Sequence, residues 1–370
     1  MESKTTLIEA IDEFSKNELK QAARYYDQME SFPTKHVETL FSFNILTQLH
    51  DPKSYVSYED YLTMIRLVSQ NFPALGSIFL TQESHCIWPL ITFGTERQKN
   101  QYLQDLLTGA IYGSFALNEP VTGSEMDEMS TVAVETDEGW LLSGKKEYIS
   151  NSPIASVFLI AAKTKRLSGD ESFGVFIVER GQEGVTVGET EKKMGIKALP
   201  VAGVTLSNVL VDATMLLGDE INGLNQVRSI LNRNRLSVAA QSLGIAEGAF
   251  SRGLEYVSYE RNLGKRLIDL QNTQFQLADI QTRIFATKAL LTQVIRTDDQ
   301  NRRYVAMTKL TSSNLAIETA ESIINMTGGY GYMRSNDIER YVRDAKITAI
   351  YGSSSARLRR LIAKPWVDKK

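Results

Sequence analysis

Residues 130–150 read STVAVETDEGWLLSGKKEYIS, with a period of two or short apolar runs on both sides of an Asp-Glu-Gly break. A period of two, interrupted by Gly and Asp, is the pattern of half-buried strands joined by a tight turn. It continues downstream in SVFLIAA, FGVFIVE, GVTVG and GVTLSNVLV, separated by Gly, Asp, Ser and Asn. These runs predict a β unit of roughly seven strands over residues 113–218.

Outward from this block the period changes to that of helices in both directions. Upstream, YEDYLTMIRLVSQ and SIFLTQESHCIWPLITF place apolar residues three and four apart. Thr95 to Gln98 (TERQ) has the form of a capping box and Gly109 stands where a C-cap belongs, which predicts a helix over 96–108. Downstream, helical periods fill about 222–258, 271–296, 301–327 and 337–350, enough for a four-helix bundle. Helices, then strands, then helices is a segregated order, so an α+β class is expected rather than a doubly wound parallel sheet. The expected units are a helical 1–112, a β unit 113–218 and a bundle 219–370.

The chain has 370 residues, which suits two or three domains, and 42% hydrophobic with 23% charged residues is an ordinary globular balance. Lys plus Arg number 41 against 44 Asp plus Glu, so a net charge of -3 supplies no overall field for nucleic acid or an anionic membrane. An anionic ligand must be held locally. The N-terminus MESKTTLIEAIDEF lacks an apolar signal region, no run approaches the length of a membrane span, and a cytoplasmic location is the expectation. Cys86 is the single cysteine, which excludes an internal disulfide, a cysteine-rich zinc site and an iron–sulfur cluster. His36, His50 and His85 form no ligand pattern and are expected on the surface or in the core. GxGxxG, Walker A and GxSxG motifs are all missing, so a cofactor must bind by another route.

Four stretches carry chemistry-bearing residues. Residues 114–129, SFALNEPVTGSEMDEM, form a polar loop between the helical and β units, where Gly123 and Ser124 can offer N–H groups and a hydroxyl. In KKEYISNS, alternation places Lys146, Tyr148 and Ser150 on one strand face, an aromatic and a hydroxyl suited to a planar ligand. YERNLGKRLIDLQ interrupts two long helices and exposes Arg261 and Lys265, and TGGYGYMRSNDIERYVRDAK ends one helix on glycines before an Arg343–Asp344 pair. Taken singly, these read as a connector, a half-buried strand, a solvated loop and a cap with a structural ion pair.

In this order and spacing, the segments resemble the acyl-CoA dehydrogenase family of flavoproteins, from about Thr81 to Ala363. FALNEPVTGSE is similar to the family's first signature, and KKEYISNSPIASVFLIAAKT to the strand bearing the aromatic residue behind the flavin. KMGIKALPVAGVTLSNVLV, RNRLSVAAQSLGIAEGAF, NMTGGYGY and ERYVRDAKITAIYG continue the pattern. The resemblance implies a helical domain, a middle β domain and a C-terminal four-helix bundle, with FAD between the last two and a neighbouring subunit of a homodimer or homotetramer. It places Phe115, Leu117, Asn118, Gly123 and Ser124 on the flavin loop, Tyr148 and Ser150 at the flavin ring, and Ser354 nearby. Arg261, Gln271, Asn325 and Gly329 match positions reaching the adenine and pyrophosphate of FAD. Ser124, Arg235 and Gly352 match positions at the thioester end of the substrate.

The family reaction takes two hydrogens from adjacent carbons of an acyl thioester, using a carboxylate to remove the α proton. At the two positions where members carry that carboxylate, this chain has Gly352 and Asn234, and Ala356 replaces a further family Glu. The catalytic base is therefore unassigned, with Glu125, Glu147 and Glu83 as candidates ahead of Tyr330 and Tyr351. The expected activity is FAD-dependent dehydrogenation of an acyl-CoA or carrier-protein-bound acyl group, in a biosynthetic setting, with an electron-transfer partner or oxygen as acceptor. The alternatives are a flavin monooxygenase or oxidase, and a catalytically silent partner subunit. Nucleic acid, membrane and metal partners are not expected.

Overall fold

The computed structural model describes residues 4–260 and 264–367. Its first part is a helical layer: α1 Lys4–Phe14, α2 Lys20–Met29, α3 Thr34–Ser42, α4 Ile45–His50, α5 Tyr58–Asn71, α6 Pro73–Gln82, α7 Trp88–Phe93 and α8 Glu96–Thr108. In α8 the Thr95 hydroxyl accepts from Gln98 N–H while the Gln98 side chain accepts from Thr95 N–H, and Gly109 closes the helix at φ +76°. α6 and α7 are not one regular helix. A π-helical turn, Glu83–Ile87, joins them and carries Glu83, Ser84 and His85. Such a turn inserts a residue into the 3.6 period and re-aims the side chains on it.

The β unit contains β1 Gly113–Ala116, β2 Val132–Thr136, β3 Gly139–Ser150, β4 Val157–Lys165, β5 Glu171–Glu179, β6 Val185–Val187 and β7 Val201–Val211. The sheet order is β1-β4-β2-β3-β7-β6, with β5 paired to β4. β1 and β2 both run parallel to β4, and the other pairings are antiparallel. Alternation is clearest in β2 and the start of β3, whose Ala133, Trp140 and Leu142 enter a core with Phe158, Phe176 and Val211.

After a short connection the chain enters α9 Gly223–Ser258, then α10 Gln271–Asp298, α11 Arg302–Thr327, the single turn α12 Gly329–Tyr332, α13 Glu339–Thr348 and α14 Ser355–Val367. α9 packs most extensively on α11 and α5, so it is buried nearly all round and shows almost no amphipathic stripe in sequence. Its partners touch their backbones closely: a Cβ at Gly244 or Gly248 would collide with the Arg66 or Gln70 carbonyl of α5. The final helix α14 is additional to the four that the sequence pattern predicts. The fold is the expected α+β arrangement of helical, β and bundle units.

One strand expectation fails. Lys146, Tyr148 and Ser150 do not share a face, because β3 is irregular between Lys146 and Ile149 and Tyr148 adopts φ +58°. That break turns Lys146 fully inward while Tyr148 is 65% exposed.

Candidate active site

A cavity of about 360 Å³ lies where the π turn, the 117–125 loop, β3, α9 and the 350–360 segment meet. Nine of the sequence-derived site residues line it: Phe115, Leu117, Asn118, Gly123, Ser124, Tyr148, Ser150, Gly352 and Ser354. Arg235 lies buried behind the 352–353 turn, and its Nη2 donates to Ser353 Oγ at 2.9 Å. Gln271, Asn325 and Gly329 do not reach the cavity and are exposed elsewhere on the bundle. Arg261 falls outside the described residues.

The β side of the cavity is rigidly built. Glu119 accepts from Ser130 N–H and Oγ, from Thr131 N–H and from Lys146 Nζ at 2.8 Å, and Lys146 also donates to the Leu117 carbonyl. Burial pushes the Glu119 carboxyl up, but the Lys146, Ser130 and Thr131 donors outweigh it and hold it at about 2. This pair fixes the loop that presents Asn118, Gly123 and Ser124. Gly123 sits at φ +57° with nothing within 4 Å of where a Cβ would be, so ligand space begins at its backbone. From the bundle, Arg357 Nη1 donates to Ser124 O at 2.9 Å and to Ser124 Oγ at 2.5 Å. An exposed aromatic ring, the Ser150 hydroxyl and the polar edge of 118–124 together fit a planar heterocycle with hydrogen-bonding rims.

The bundle side is cationic. Lys309 Nζ donates to Ser353 O at 2.8 Å, and burial with neighbouring Arg235 pushes its ammonium down to about 7. Burial, reinforced by Arg302 and Arg357, lowers Arg235 to about 10, and its Nε and Nη1 have no hydrogen-bond partner. Gly352 holds φ +62°, and a Cβ there would lie 3.0 Å from Asn234 Oδ1, itself buried and unpartnered. The Asn234 amide is oriented by its Nδ2, which donates to Ser84 Oγ at 3.0 Å.

The candidate replacement bases disperse. Glu83 is fully buried, gripped by Arg233 Nε and Nη2, and does not line the cavity. Glu147 turns to Lys145, and Tyr330 stacks on Tyr256 with centroids 4.5 Å apart, both away from the cavity. Tyr351 lines it but its hydroxyl donates to Gln241 Oε1, and burial raises its pKa. Glu125 is an exposed rim residue 3.7 Å from Arg357. His85 was expected as surface or core and instead lines the cavity, because the π turn aims it there. Within QESHCIW no periodic signal distinguishes it. Arg343 and Asp344 are structural, as expected: they bind Asp27 and Glu339, and the Ile196 N–H and Arg340. Among the described residues no group of three or more His, Cys, Asp or Glu side chains could hold a metal, and no helix is long and apolar enough to cross a membrane.

Family models described as acyl-CoA dehydrogenase N-terminal, middle and C-terminal domains match residues 1–110, 114–209 and 222–366. The chain is 30% identical to a short-chain specific acyl-CoA dehydrogenase of Clostridium acetobutylicum, covering 93% of each. It is 30% identical to a 3-(aryl)acrylate reductase of Clostridium sporogenes, covering 95% of each. The butyryl-CoA dehydrogenase structure from Megasphaera elsdenii superposes with a TM-score of 0.91 at 27% identity, over 98% of both chains. With all three domains matched along the chain, it belongs to the acyl-CoA dehydrogenase family, whose members are FAD-dependent oxidoreductases acting on CH–CH groups.

Proposed function

We propose that the protein removes one hydrogen from each of the α and β carbons of an acyl thioester, with FAD as its resident cofactor. The observation that carries this reading is the convergence of Tyr148, Ser150 and the 117–124 edge with the Gly352 turn on one cavity. Phe115, Leu117, Asn118, Gly123, Ser124, Tyr148, Ser150 and Ser354 would hold the flavin ring. Arg261, Gln271, Asn325 and Gly329 would reach the adenine and pyrophosphate end of an FAD bound mainly by a second subunit. That sharing makes the working unit a homodimer or homotetramer, built from units divided near residues 112 and 218.

Bound FAD supplies a hydride acceptor. The chain itself orients the thioester and stabilises charge. The Gly352 N–H polarises the carbonyl, and the buried Arg235 and Lys309 behind it favour the negative charge that grows on the carbonyl oxygen. Ser124 closes on the thioester from the other side. The thiol is coenzyme A or a carrier protein.

The test is an anaerobic titration of FAD-loaded protein with saturated acyl-CoA and acyl-pantetheine thioesters, watching the oxidised-flavin band. The expected result is bleaching by at least one thioester, with an enoyl product two hydrogens lighter. A flavin that no thioester bleaches, but that a reduced nicotinamide reduces with oxygen uptake, would replace this reading with oxygen chemistry.

A further inference from the structure

We infer that His85, steadied by Asn234, takes the α proton in place of the carboxylate missing at position 352. This deepens the proposed function and rests on it. Two carboxylates line the cavity, and neither is placed for the task. Glu119 is saturated by four donors, and Glu125 lies exposed at the rim opposite Arg357. Lys309 and Tyr351 are hydrogen-bond donors to Ser353 and Gln241.

His85 differs from all of these. It sits on the π turn with its ring against Phe115, centroids 5.7 Å apart, and is part-exposed to the cavity between buried neighbours Ser84 and Cys86. Burial pushes its imidazole down to about 4, against Glu83 and Asn234, which pull it up, so the ring is neutral and carries a lone pair at neutral pH. Asn234 supplies the second observation. With its Nδ2 committed to Ser84, its buried Oδ1 borders the space above Gly352 with no other partner, and it would accept from one imidazole N–H of His85. That contact selects the tautomer whose other nitrogen is open to the substrate, the role an amide plays beside the histidine of cysteine proteases.

In the step, the α C–H bond breaks and its proton bonds to the open imidazole nitrogen. The electron pair stays with the substrate as the thioester enolate, facing the Gly352 N–H. The resulting imidazolium is stabilised by Asn234 and, beyond it, by Glu83, against the repulsion of Arg233 on α9.

The test uses the FAD-loaded protein in deuterated buffer with a 3-thia-acyl-CoA, which has no β hydrogen to lose as hydride, so α-proton exchange is read by NMR without redox turnover. His85→Leu should lower exchange by about 10²- to 10⁴-fold while FAD content and thioester binding stay near wild type. His85→Gln, which keeps polarity and volume, should do the same. Exchange in both variants at the wild-type rate would overturn the assignment while leaving the proposed function standing. A wild-type protein that binds the thioester and exchanges nothing would overturn both. For Asn234, a positioning residue, 15N spectra of the His85 ring should show one tautomer in wild type and a mixture in Asn234→Ala; an unchanged spectrum would remove Asn234 from the account.

Discussion

The two walls of the cavity were built by different rules. The β wall keeps a complete supporting frame: Lys146 and Glu119 are both buried and paired, and they hold the loop that ends at Ser124. The bundle wall has two buried cations, Arg235 and Lys309, an orphaned amide oxygen on Asn234, and the left-handed Gly352 turn. A wall built round one buried charge pair whose donors and acceptors are met is a holder. A wall with unpaired buried polar atoms awaits a ligand or a proton, since such atoms cost about 1–3 kcal/mol each when left alone.

That contrast can be broken from the β side first. Glu119→Ala strands the fully buried Lys146 charge and should cost about 3–5 kcal/mol in urea unfolding, the largest effect expected here. The same pair sets an acid limit. The Glu119 carboxyl titrates at about 2 in the folded protein against 4.5 unfolded, so its contribution is full above pH 4.5 and is lost as pH falls towards 2. Stability curves of wild type should therefore drop through that window, and those of Glu119→Gln should drop less.

On the bundle side, Gly352→Ala should cost about 1–2 kcal/mol, because a side chain is forced into the left-handed region and against Asn234 Oδ1. Gly352→Glu alone should fail to raise dehydrogenation for the same reason, whereas Gly352→Glu with Asn234→Gly should exceed the single variant. A gain from the single substitution, measured as flavin reduction by butyryl-CoA, would show that the Asn234 amide is no obstacle. Smaller still, Tyr148→Ala should weaken FAD binding by about 1 kcal/mol, roughly fivefold, through loss of ring contact. Arg357→Ala should loosen residues 121–128 in hydrogen exchange and cost less than about 1 kcal/mol overall.

Much of this architecture was legible from the order of its segments. The helix 96–108 could be read to the residue because its caps are side chains with one local job. The bundle helices and the strand block were legible through their apolar spacing, and the helices also through the scarcity of proline, even though α9, buried nearly all round, carries almost no amphipathic stripe. What stayed hidden depends on breaks in period: the irregular β3 that separates Lys146 from Tyr148, and the π turn that sends His85 into the cavity. Both occur inside runs whose composition predicts regular structure. Glu83 looked as available as Glu125 in sequence, and only packing reveals that Arg233 holds it away from the site. The glycine at 352 could be seen in the sequence, but the reason a Glu placed there would meet resistance lies in the Asn234 amide, 150 residues from its Ser84 partner.

If His85 on the π turn is the proton acceptor, flavin reduction by an acyl thioester depends on it. Rapid anaerobic mixing of FAD-loaded wild type, His85→Leu and Asn234→Ala with one saturating acyl-CoA tests it directly. Bleaching should be fast in wild type, slowed by about 10²-fold or more in His85→Leu, and intermediate in Asn234→Ala. Equal bleaching rates in all three proteins would contradict it.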